Sequence, residues 1–238
     1  MINVLLPAMG TSTFYKDSFF PKPLYEINGK TMLEHVIDNY ADLNPKQYVF
    51  VFAEEDCLKF HLDSSAQILS PASKVIKLRN QTAGALCTCL MAIEYINDET
   101  PLIIANADQI ILEDYRKVIN RFIEQNDDAG IITFPSIHPR WSYARKSGDE
   151  VVEVAEKRPL SRDAIAGFYY YKQGKYFIEA AEKAILKRSN LNGRYYISSS
   201  INELILAGKK IGYYDIKKEQ YRSFYSPAKV KEYEDSLK

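Results

Sequence analysis

The sequence lacks long apolar runs and an excess of charge of either sign. No run approaches the ~20 apolar residues that a membrane-spanning helix needs. The 31 basic residues balance 31 acidic ones, which argues against a generally basic nucleic-acid binder but leaves room for a local phosphate pocket. The first residues, Met-Ile-Asn-Val, lack the basic segment and apolar stretch of a signal peptide. We therefore expect a cytoplasmic protein with no nucleic-acid partner and no membrane partner.

Cysteine is also scarce, with three in 238 residues. A small, odd number does not form a disulfide framework. Cys87 and Cys89 stand two apart on a predicted helix and point to different faces, which makes them a poor metal-binding pair. Reduced thiols are the expectation, and these agree with a cytoplasmic location.

The apolar pattern of the first 135 residues alternates between strands and helices. Short runs rich in β-branched or aromatic residues predict buried strands, at 2–6, 48–53, 75–78, 102–105 and 130–134. Apolar residues at helical spacing predict helices, at 31–40, 83–95 and 115–123. The alternation predicts an α/β fold with a mostly parallel central sheet and ligands at the carboxyl ends of its strands.

Residues 136–238 have a different character. Three consecutive predicted strands suggest antiparallel additions to the sheet, at 142–146, 150–155 and 164–172. A strand is predicted at 210–216, and helices are predicted at 176–185, 197–206 and 227–237. No repeat or low-complexity linker separates the two parts, so we expect one domain with a continuous core.

A loop of small residues follows the first predicted strand, and a lysine between two prolines comes after it. The backbone N–H groups of the loop, residues 7–12, can face an anion. Lys22 is a cation on a stiff segment, because Pro21 and Pro23 restrict the backbone around it. A triphosphate suits this arrangement. The alternative is an ordinary loop between a strand and a helix, in which Pro-Lys-Pro occurs by chance.

Two further segments carry candidate site residues. Asp108 follows the strand predicted at 102–105, and Mg²⁺ usually takes one or two carboxylates plus substrate phosphates. The alternative is an Asp that caps a turn. Before the helix predicted at 83–95, Gly84 allows close backbone approach and the Gln81 amide can bond a base edge. On the local pattern alone, a helix N-terminus capped by Thr82 is the favoured interpretation there.

The segment 153–161, Glu-Val-Ala-Glu-Lys-Arg-Pro-Leu-Ser, ends a predicted strand with charged side chains. Its cations suit a second phosphate, and a solvated strand end is the alternative. The histidines, His35, His61 and His138, show no ligand spacing. The sequence contains no nucleophile elbow, no P-loop and no HExxH motif.

Taken together, these segments resemble the sugar-nucleotidyltransferase superfamily, whose members join an NTP to a phosphorylated acceptor and release pyrophosphate. The segments that carry the resemblance follow the family's order over nearly the whole chain, at 6–12, 21–30, 104–109, 154–161, 166–171 and 197–206. The sequence is most similar to the bacterial surface-polysaccharide branch. That branch includes cytidylyltransferases that act on sugar phosphates, and others that act on phosphoglutamine in capsule phosphoramidate synthesis.

The resemblance implies a Rossmann-like nucleotide-diphospho-sugar transferase fold, with 1–135 as the nucleotide-binding part and 136–238 as the acceptor-binding part of a single domain. It implies a nucleotide site at Pro7, Ala8, Met9, Gly10, Thr11, Ser12, Gln81, Gly84 and Ala107. It implies an acceptor site at Glu156, Lys157, Gly167 and Arg194. Catalysis falls to Lys22, Asp108 and Lys157, and Asp108 is the implied ligand of Mg²⁺.

Three departures from the family pattern bear on activity. The family loop carries an arginine near its end, where this chain has Thr-Ser-Thr-Phe-Tyr at 11–15 followed by Lys16, and a lysine does not reproduce a guanidinium clamp. Relatives supply a second metal-binding Asp at about 223–224, so Asp215 is the nearest alternative ligand here. Relatives commonly have an acid where Arg194 stands, a change that either alters the choice of acceptor or places a positive charge toward an anionic substrate.

The sequence thus predicts a Mg²⁺-dependent nucleotidylyltransferase that joins an NTP, with CTP favoured, to a phosphorylated small molecule for capsule or surface-glycan precursors. The acceptor phosphate is already anionic, so its in-line attack on the α-phosphorus needs no general base. One alternative is a nucleotide-binding or regulatory homologue without turnover. Another is a glycosyltransferase that uses a nucleotide sugar, against which the Pro-Lys-Pro-Leu segment argues. The 18 tyrosines are compatible with a homodimer.

Overall fold

A computed structural model describes residues 1–10, 13–15 and 17–237 of the chain. Its strands are β1 Asn3–Pro7, β2 Glu26–Ile27, β3 Lys30–Thr31, β4 Gln47–Ala53, β5 Lys74–Leu78, β6 Leu102–Ala105, β7 Gln109–Ile111, β8 Ala129–Pro135, β9 Ser142–Ser147, β10 Glu150–Glu156, β11 Asp163–Tyr171, β12 Ile211–Asp215 and β13 Tyr221–Ser223. Its α-helices are α1 Met32–Tyr40, α2 Glu54–Phe60, α3 Leu62–Leu69, α4 Ala85–Leu90, α5 Ile93–Ile96, α6 Tyr115–Glu124, α7 Gly174–Leu186, α8 Ser198–Leu206 and α9 Pro227–Asp235.

A mixed sheet of nine strands forms the centre of the described structure. Seven strands lie side by side in the order β10, β9, β11, β6, β1, β4, β5. In addition, β8 pairs with β11 and β12 pairs with β8. The neighbours of β1, which are β4 and β6, run parallel to it. Strands β8, β9 and β6 all run antiparallel to β11. The predicted α/β fold, mostly parallel with antiparallel additions, is confirmed.

Both faces of the sheet are covered, as the apolar character of its strands requires. Val4 and Leu6 point to a core that includes α1, α3 and α6. Leu5, between them, points to a second core that includes α4, α7 and α8. Successive residues of a strand face opposite sides, so a short run such as β1 contributes to both cores.

Strand β11 is shared between neighbours at its two ends. Its first two residues pair with β9, and the stretch from Phe168 to Tyr171 pairs with β6 along the same edge. Strand β8 pairs with the opposite edge at both ends of β11. The nine-stranded sheet therefore contains strands from residues 1–135 and from 136–238.

Most predicted elements are present, but one predicted helix is wrong in its extent. The helix expected at 83–95 is two short helices, α4 and α5, and its buried residues are Leu86, Cys89, Ala92 and Ile96. The apolar side expected for that helix was Leu86, Leu90 and Ile93; Leu86 is buried, whereas Ile93 is 40% exposed. Cys89 and Ala92 join the buried side instead, and their small side chains give a weaker apolar signal than Leu or Ile.

Two helices and two strand pairs were not predicted. Helices α2 and α3 carry mixed polar surfaces with few buried residues. Strands β2 and β3 form a two-residue hairpin, and β7 pairs with β13 across 110 residues of sequence. Thr31 caps α1, because its Oγ1 accepts a hydrogen bond from the Glu34 N–H at 3.2 Å.

No helix in the described ranges combines the length and the apolar composition that crossing a bilayer requires. The three cysteines carry free thiols, as predicted, and Cys57 and Cys89 are buried.

Candidate active site

A cavity of about 140 Å³ opens at the carboxyl ends of β1 and β6. In open α/β sheets, this edge is where ligands bind. The residues that line the cavity are Pro7, Ala8, Gly10, Lys22, Pro23, Asn106, Ala107 and Asp108. The structure thus brings together three segments that are far apart in sequence: the small-residue loop, the proline-flanked lysine and the aspartate.

Lys22 is held at this cavity by a short turn. Residues Lys22–Leu24 form one turn of 3₁₀-helix whose central Pro23 is buried. The Lys22 ammonium forms an ion pair with the Asp108 carboxylate, and the two side chains are 16% and 28% exposed. It also lies 5.5 Å from the centre of the Tyr15 ring, within cation–π range. The prolines therefore position a cation beside the one carboxylate that lines the cavity within the described residues.

Tyr15 and Phe224 connect the two sides of this ion pair. The Tyr15 hydroxyl donates to the Phe224 carbonyl at 2.7 Å, and the Phe224 N–H donates to the Asp108 carbonyl at 2.7 Å. Burial, with smaller contributions from Tyr25 and Asp108, raises the pKa of Tyr15 well above its usual range. Tyr15 therefore stays protonated and keeps its role as a donor at neutral pH.

A network of buried amides fixes the turn that carries Asp108. The Gln109 side chain donates to the carbonyls of Ala166 and Gly167 at 2.5 and 3.1 Å, and its oxygen accepts from Asn106 and the Tyr221 hydroxyl at 3.1 and 3.0 Å. Gly167 has a φ of +58°, and a Cβ at this position would lie 2.2 Å from Asn106 Nδ2. The Asp108 turn thus rests directly on β11.

Gln81 and Gly84 connect the loop to the second half of the chain. The Gln81 amide donates to the Met9 carbonyl at 2.8 Å, and Met9 is itself buried. Gly84 lies against the backbone of Tyr195, where the Tyr195 N–H donates to the Ala83 carbonyl at 2.8 Å. Gly84 has a φ of +120°, and an added Cβ would lie 2.4 Å from the Tyr195 oxygen.

Replacing Gly84 by alanine is therefore expected to destabilise the protein. The backbone strain alone costs about 1–3 kcal/mol, and the contact with Tyr195 adds to it. Gly148→Ala is the matched control, because Gly148 also has a positive φ, +57°, but has open space around its Cβ position. Urea denaturation of both variants measures the effect. Equal losses in unfolding free energy would contradict the close approach to Tyr195.

Glu156 and Lys157 lie at the end of β10, among hydroxyl groups from other elements. The Glu156 carboxylate accepts hydrogen bonds from Ser142 and from Ser198, the latter at 2.9 Å. Lys157 has a φ of +52°, and its ammonium donates to the Tyr196 hydroxyl at 3.0 Å. An acid and a base with hydroxyl partners make a polar surface that can bind both a phosphate and the hydroxyl groups of an acceptor.

The strand register sets the height of this polar group relative to Asp108. Ser142 pairs with Glu156, and the next residue, Tyr143, pairs with Ala164 of β11. The last residue of β6 pairs with Phe168, four residues further along β11. Glu156 therefore lies level with the part of β11 that extends just past the carboxyl end of β6. Asp108 follows β6 at this same end.

The remaining predicted residues lie elsewhere or outside the described part. Arg194 is exposed, in a turn closed by its backbone bonds to Leu191. Asp215 accepts from Thr133 and from Lys146, both at 2.6 Å, and does not line the cavity of Asp108. Thr11, Ser12 and Lys16 lie outside the described residues.

Several site residues were not predicted from the sequence. Tyr15, Asn106 and Gln109 hold the Lys22–Asp108 pair, and Ser142 and Ser198 hold Glu156. Two amides that follow a buried strand, in Asn-Ala-Asp-Gln, are a usable signal for a buried polar network. The serines give no such signal, because only the tertiary structure brings them to Glu156.

Comparison with known families gives one match that spans most of the chain. The family model described as nucleotidyl transferase matches residues 18–220. Similar curated proteins include the bifunctional protein GlmU of Streptococcus uberis, 27% identical over 160 residues, which are 65% of this chain and 33% of that protein. GlmU of Buchnera aphidicola is 31% identical over 107 residues, 45% of this chain and 22% of that protein. The chain thus matches between about a fifth and a third of these relatives' length.

Solved structures share the fold over nearly the entire chain. A nucleoside-diphosphate-sugar pyrophosphorylase from Vibrio cholerae RC9 has a TM-score of 0.82 at 21% identity, covering 99% of this chain and all of that one. A UDP-glucose pyrophosphorylase from Acinetobacter baumanii has a TM-score of 0.73 at 15% identity, covering 98% and 92%. At these identities, the likeness shows the fold alone.

Proposed function

The chain belongs to the nucleotidyl transferase family, and on that premise we propose that it transfers a nucleotidyl group from an NTP to a phosphorylated small molecule, with release of pyrophosphate. The observation that carries the proposal is the single cavity that joins the loop after β1, Lys22 and Asp108. Backbone N–H groups and an ammonium are suited to a triphosphate. A carboxylate beside them is suited to the cation that accompanies it.

The residues of the cavity fit Mg²⁺ only together with a substrate. No group of three His, Cys, Asp or Glu side chains comes together as a metal site within the described ranges. Asp108 is a single carboxylate, 28% exposed, and Mg²⁺ is commonly held by one carboxylate, substrate phosphates and water. When bound there, Mg²⁺ supplies charge neutralisation at the phosphate oxygens. Asp215 has other partners, so its role as a second ligand stays a prediction.

In the structure the Lys22 ammonium is paired with the Asp108 carboxylate. A triphosphate offers Lys22 a stronger anionic partner than one carboxylate does, so we expect the ammonium to move to the phosphates. Asp108 is then free to hold the cation. Tyr15 keeps the Lys22 side chain near the phosphates through its ring, and the buried amides keep the Asp108 turn in place.

The transfer itself requires positioning more than proton movement. An oxygen of the acceptor phosphate attacks the α-phosphorus and forms a new P–O bond, while the bond from that phosphorus to the bridging oxygen breaks. The electron pair leaves with pyrophosphate. We assign the acceptor phosphate to Lys157 and the acceptor's hydroxyl groups to Glu156, and we assign the stabilisation of the phosphate charge to Lys22.

The finer parts of the proposal rest on the sequence resemblance. CTP as the NTP, a sugar phosphate or phosphoglutamine as the acceptor, and capsule or surface-glycan precursors as the product follow from that resemblance. A cytoplasmic location is favoured by the three free thiols. A homodimer stays a prediction.

One observation favours a second candidate, a nucleotide-binding homologue without turnover. Phe224 bonds the backbone of Asp108, so the position where relatives carry their second aspartate adjoins the cavity, and Ser223 and Phe224 offer no carboxylate there. Such a homologue would bind an NTP but release no pyrophosphate.

Pyrophosphate release separates these candidates. Each of the four NTPs is tested with Mg²⁺ across phosphorylated acceptors that include sugar 1-phosphates and phosphoglutamine. We expect release with at least one pair, strongest with CTP, and none after EDTA is added. NTP binding without release from any pair would favour the homologue without turnover, and sugar transfer from a nucleotide sugar would overturn the proposal.

A further inference from the structure

A second cavity, of about 390 Å³, lies between the segment after β8 and the last part of the chain. Cationic side chains outnumber acidic ones around it, and these charged residues are Arg140, Lys218, Arg222, Lys229, Glu219 and Glu232. Lys229 forms an ion pair with Glu232. The proposed nucleotide and acceptor sites use none of these residues.

Arg140 is held in place by two aromatic rings in this cavity. Its guanidinium carbon lies 4.3 Å from the centre of the Trp141 ring and 4.2 Å from that of Tyr225. A hydrogen bond from Arg140 is the main reason that the pKa of Tyr225 lies below its usual range. A guanidinium fixed by stacked rings loses little freedom when its remaining N–H groups bind an anion.

Arg222, on β13, lines the same cavity and carries one unsatisfied donor. Its Nε is buried and has no hydrogen-bond partner among the residues that the structure describes. A buried N–H without a partner is costly, and such groups in native proteins usually have an unseen partner such as an ion or ligand. The partner that suits a guanidinium N–H is an oxyanion.

We propose that this cavity binds the phosphate or carboxylate group of a small-molecule ligand, with Arg140 and Arg222 as its donors. The cavity adjoins the active site, because Ser223 lines it and the following residue donates its N–H to the Asp108 carbonyl at 2.7 Å. The oxyanion therefore belongs either to a second anionic group of the acceptor or to a separate small molecule. Only the first of these sources rests on the proposed function.

Trp141, the only tryptophan of the chain, reports on binding directly. Sodium phosphate is titrated into the protein without NTP, and Trp141 fluorescence is recorded against sodium chloride at equal ionic strength. We expect a saturable change with phosphate alone. Arg140→Gln and Arg222→Gln should each raise the phosphate concentration at the midpoint by roughly ten-fold or more, as expected for a lost charge-assisted hydrogen bond. The matched control is Arg116→Gln on α6, an exposed arginine outside this cavity.

Three results would overturn the proposal. The first is a response to phosphate equal to that of chloride. The second is the same midpoint in both arginine variants as in the unmodified protein, and the third is loss of the response in Lys22→Ala with no change in the arginine variants, since the signal would then come from the nucleotide cavity. Arg140 is exposed, so Arg140→Gln keeps the test valid if Arg222→Gln fails to fold.

The source of the oxyanion follows from acceptor kinetics in the same variants. If it belongs to the acceptor, Arg140→Gln raises KM for acceptors with two anionic groups and leaves KM unchanged for those with one. If it belongs to a separate molecule, KM is unchanged for both kinds of acceptor, while the phosphate concentration at the midpoint of the titration still rises. Because phosphate binding is measured without turnover, its outcome does not depend on whether the nucleotidyl transfer is correct.

Discussion

Asp108→Asn is expected to reduce pyrophosphate release by more than about a thousand-fold, because it removes the carboxylate on which cation binding depends. Asparagine has nearly the same shape and can still accept a hydrogen bond from Lys22. The Asp108 side chain is 28% exposed and forms its ion pair with one lysine, Lys22, so the change in unfolding free energy should stay within about 1 kcal/mol. Initial rates at saturating NTP and urea denaturation measure the two quantities.

The matched control for this variant is Asp42→Asn. Asp42 is 80% exposed, and its ion pair with Arg116 spans 3.9 Å, so we expect unchanged activity. Near-normal turnover by Asp108→Asn would remove the proposed metal role. A loss of turnover accompanied by unfolding would instead identify Asp108 as a structural residue.

Lys22→Ala is expected to lower kcat by about 10²–10³-fold, the range found when one preorganised charge-stabilising donor is lost. The residue contacts the transferred phosphates in the proposal, and no other cation lines the nucleotide cavity within the described residues. Lys22→Arg should recover only part of the rate. Its charge is retained, but a planar guanidinium does not reproduce the compact ammonium that Asp108 and the Tyr15 ring contact.

Lys46→Ala is the control for the lysine substitutions, since Lys46 is exposed and its backbone N–H, which the substitution keeps, donates to the Ile2 carbonyl. The rate of each variant is measured at saturating NTP, so that kcat is compared rather than affinity. A kcat for Lys22→Ala within a few-fold of the unmodified protein would show that the ammonium does not act on the reacting phosphates.

The parts of the site that the sequence predicts are those encoded within short segments. Lys22 between its prolines and Asp108 after β6 are readable because chain stiffness and strand order place them. The structure adds what depends on distant pairing. Strand β13 reaches β7 across 110 residues, and three-residue strands give no periodic signal. The amide network of Gln109 likewise forms only once β11 lies beside β6.

The errors in the fold predicted from the sequence have a similar origin. The segment of α4 and α5 buries Cys89 and Ala92, which pattern analysis treats as weak apolar residues. Helices α2 and α3 bury few side chains, so their helical period is faint. Long elements with a clear apolar face, such as α6, were predicted within one or two residues.

Strand β11 gives the molecule a modular construction. The β9–β10 hairpin that carries Glu156 joins β11 only at its first two residues, and the Asn202 side chain of α8 holds it through both backbone groups of Val154. The Asp108 turn rests on β11 two to three residues further along, where Gln109 donates to the carbonyls of Ala166 and Gly167. The supports of the hairpin and those of the Asp108 turn thus lie on separate stretches of β11, so side chains of the hairpin can be replaced without touching the groups that hold Asp108.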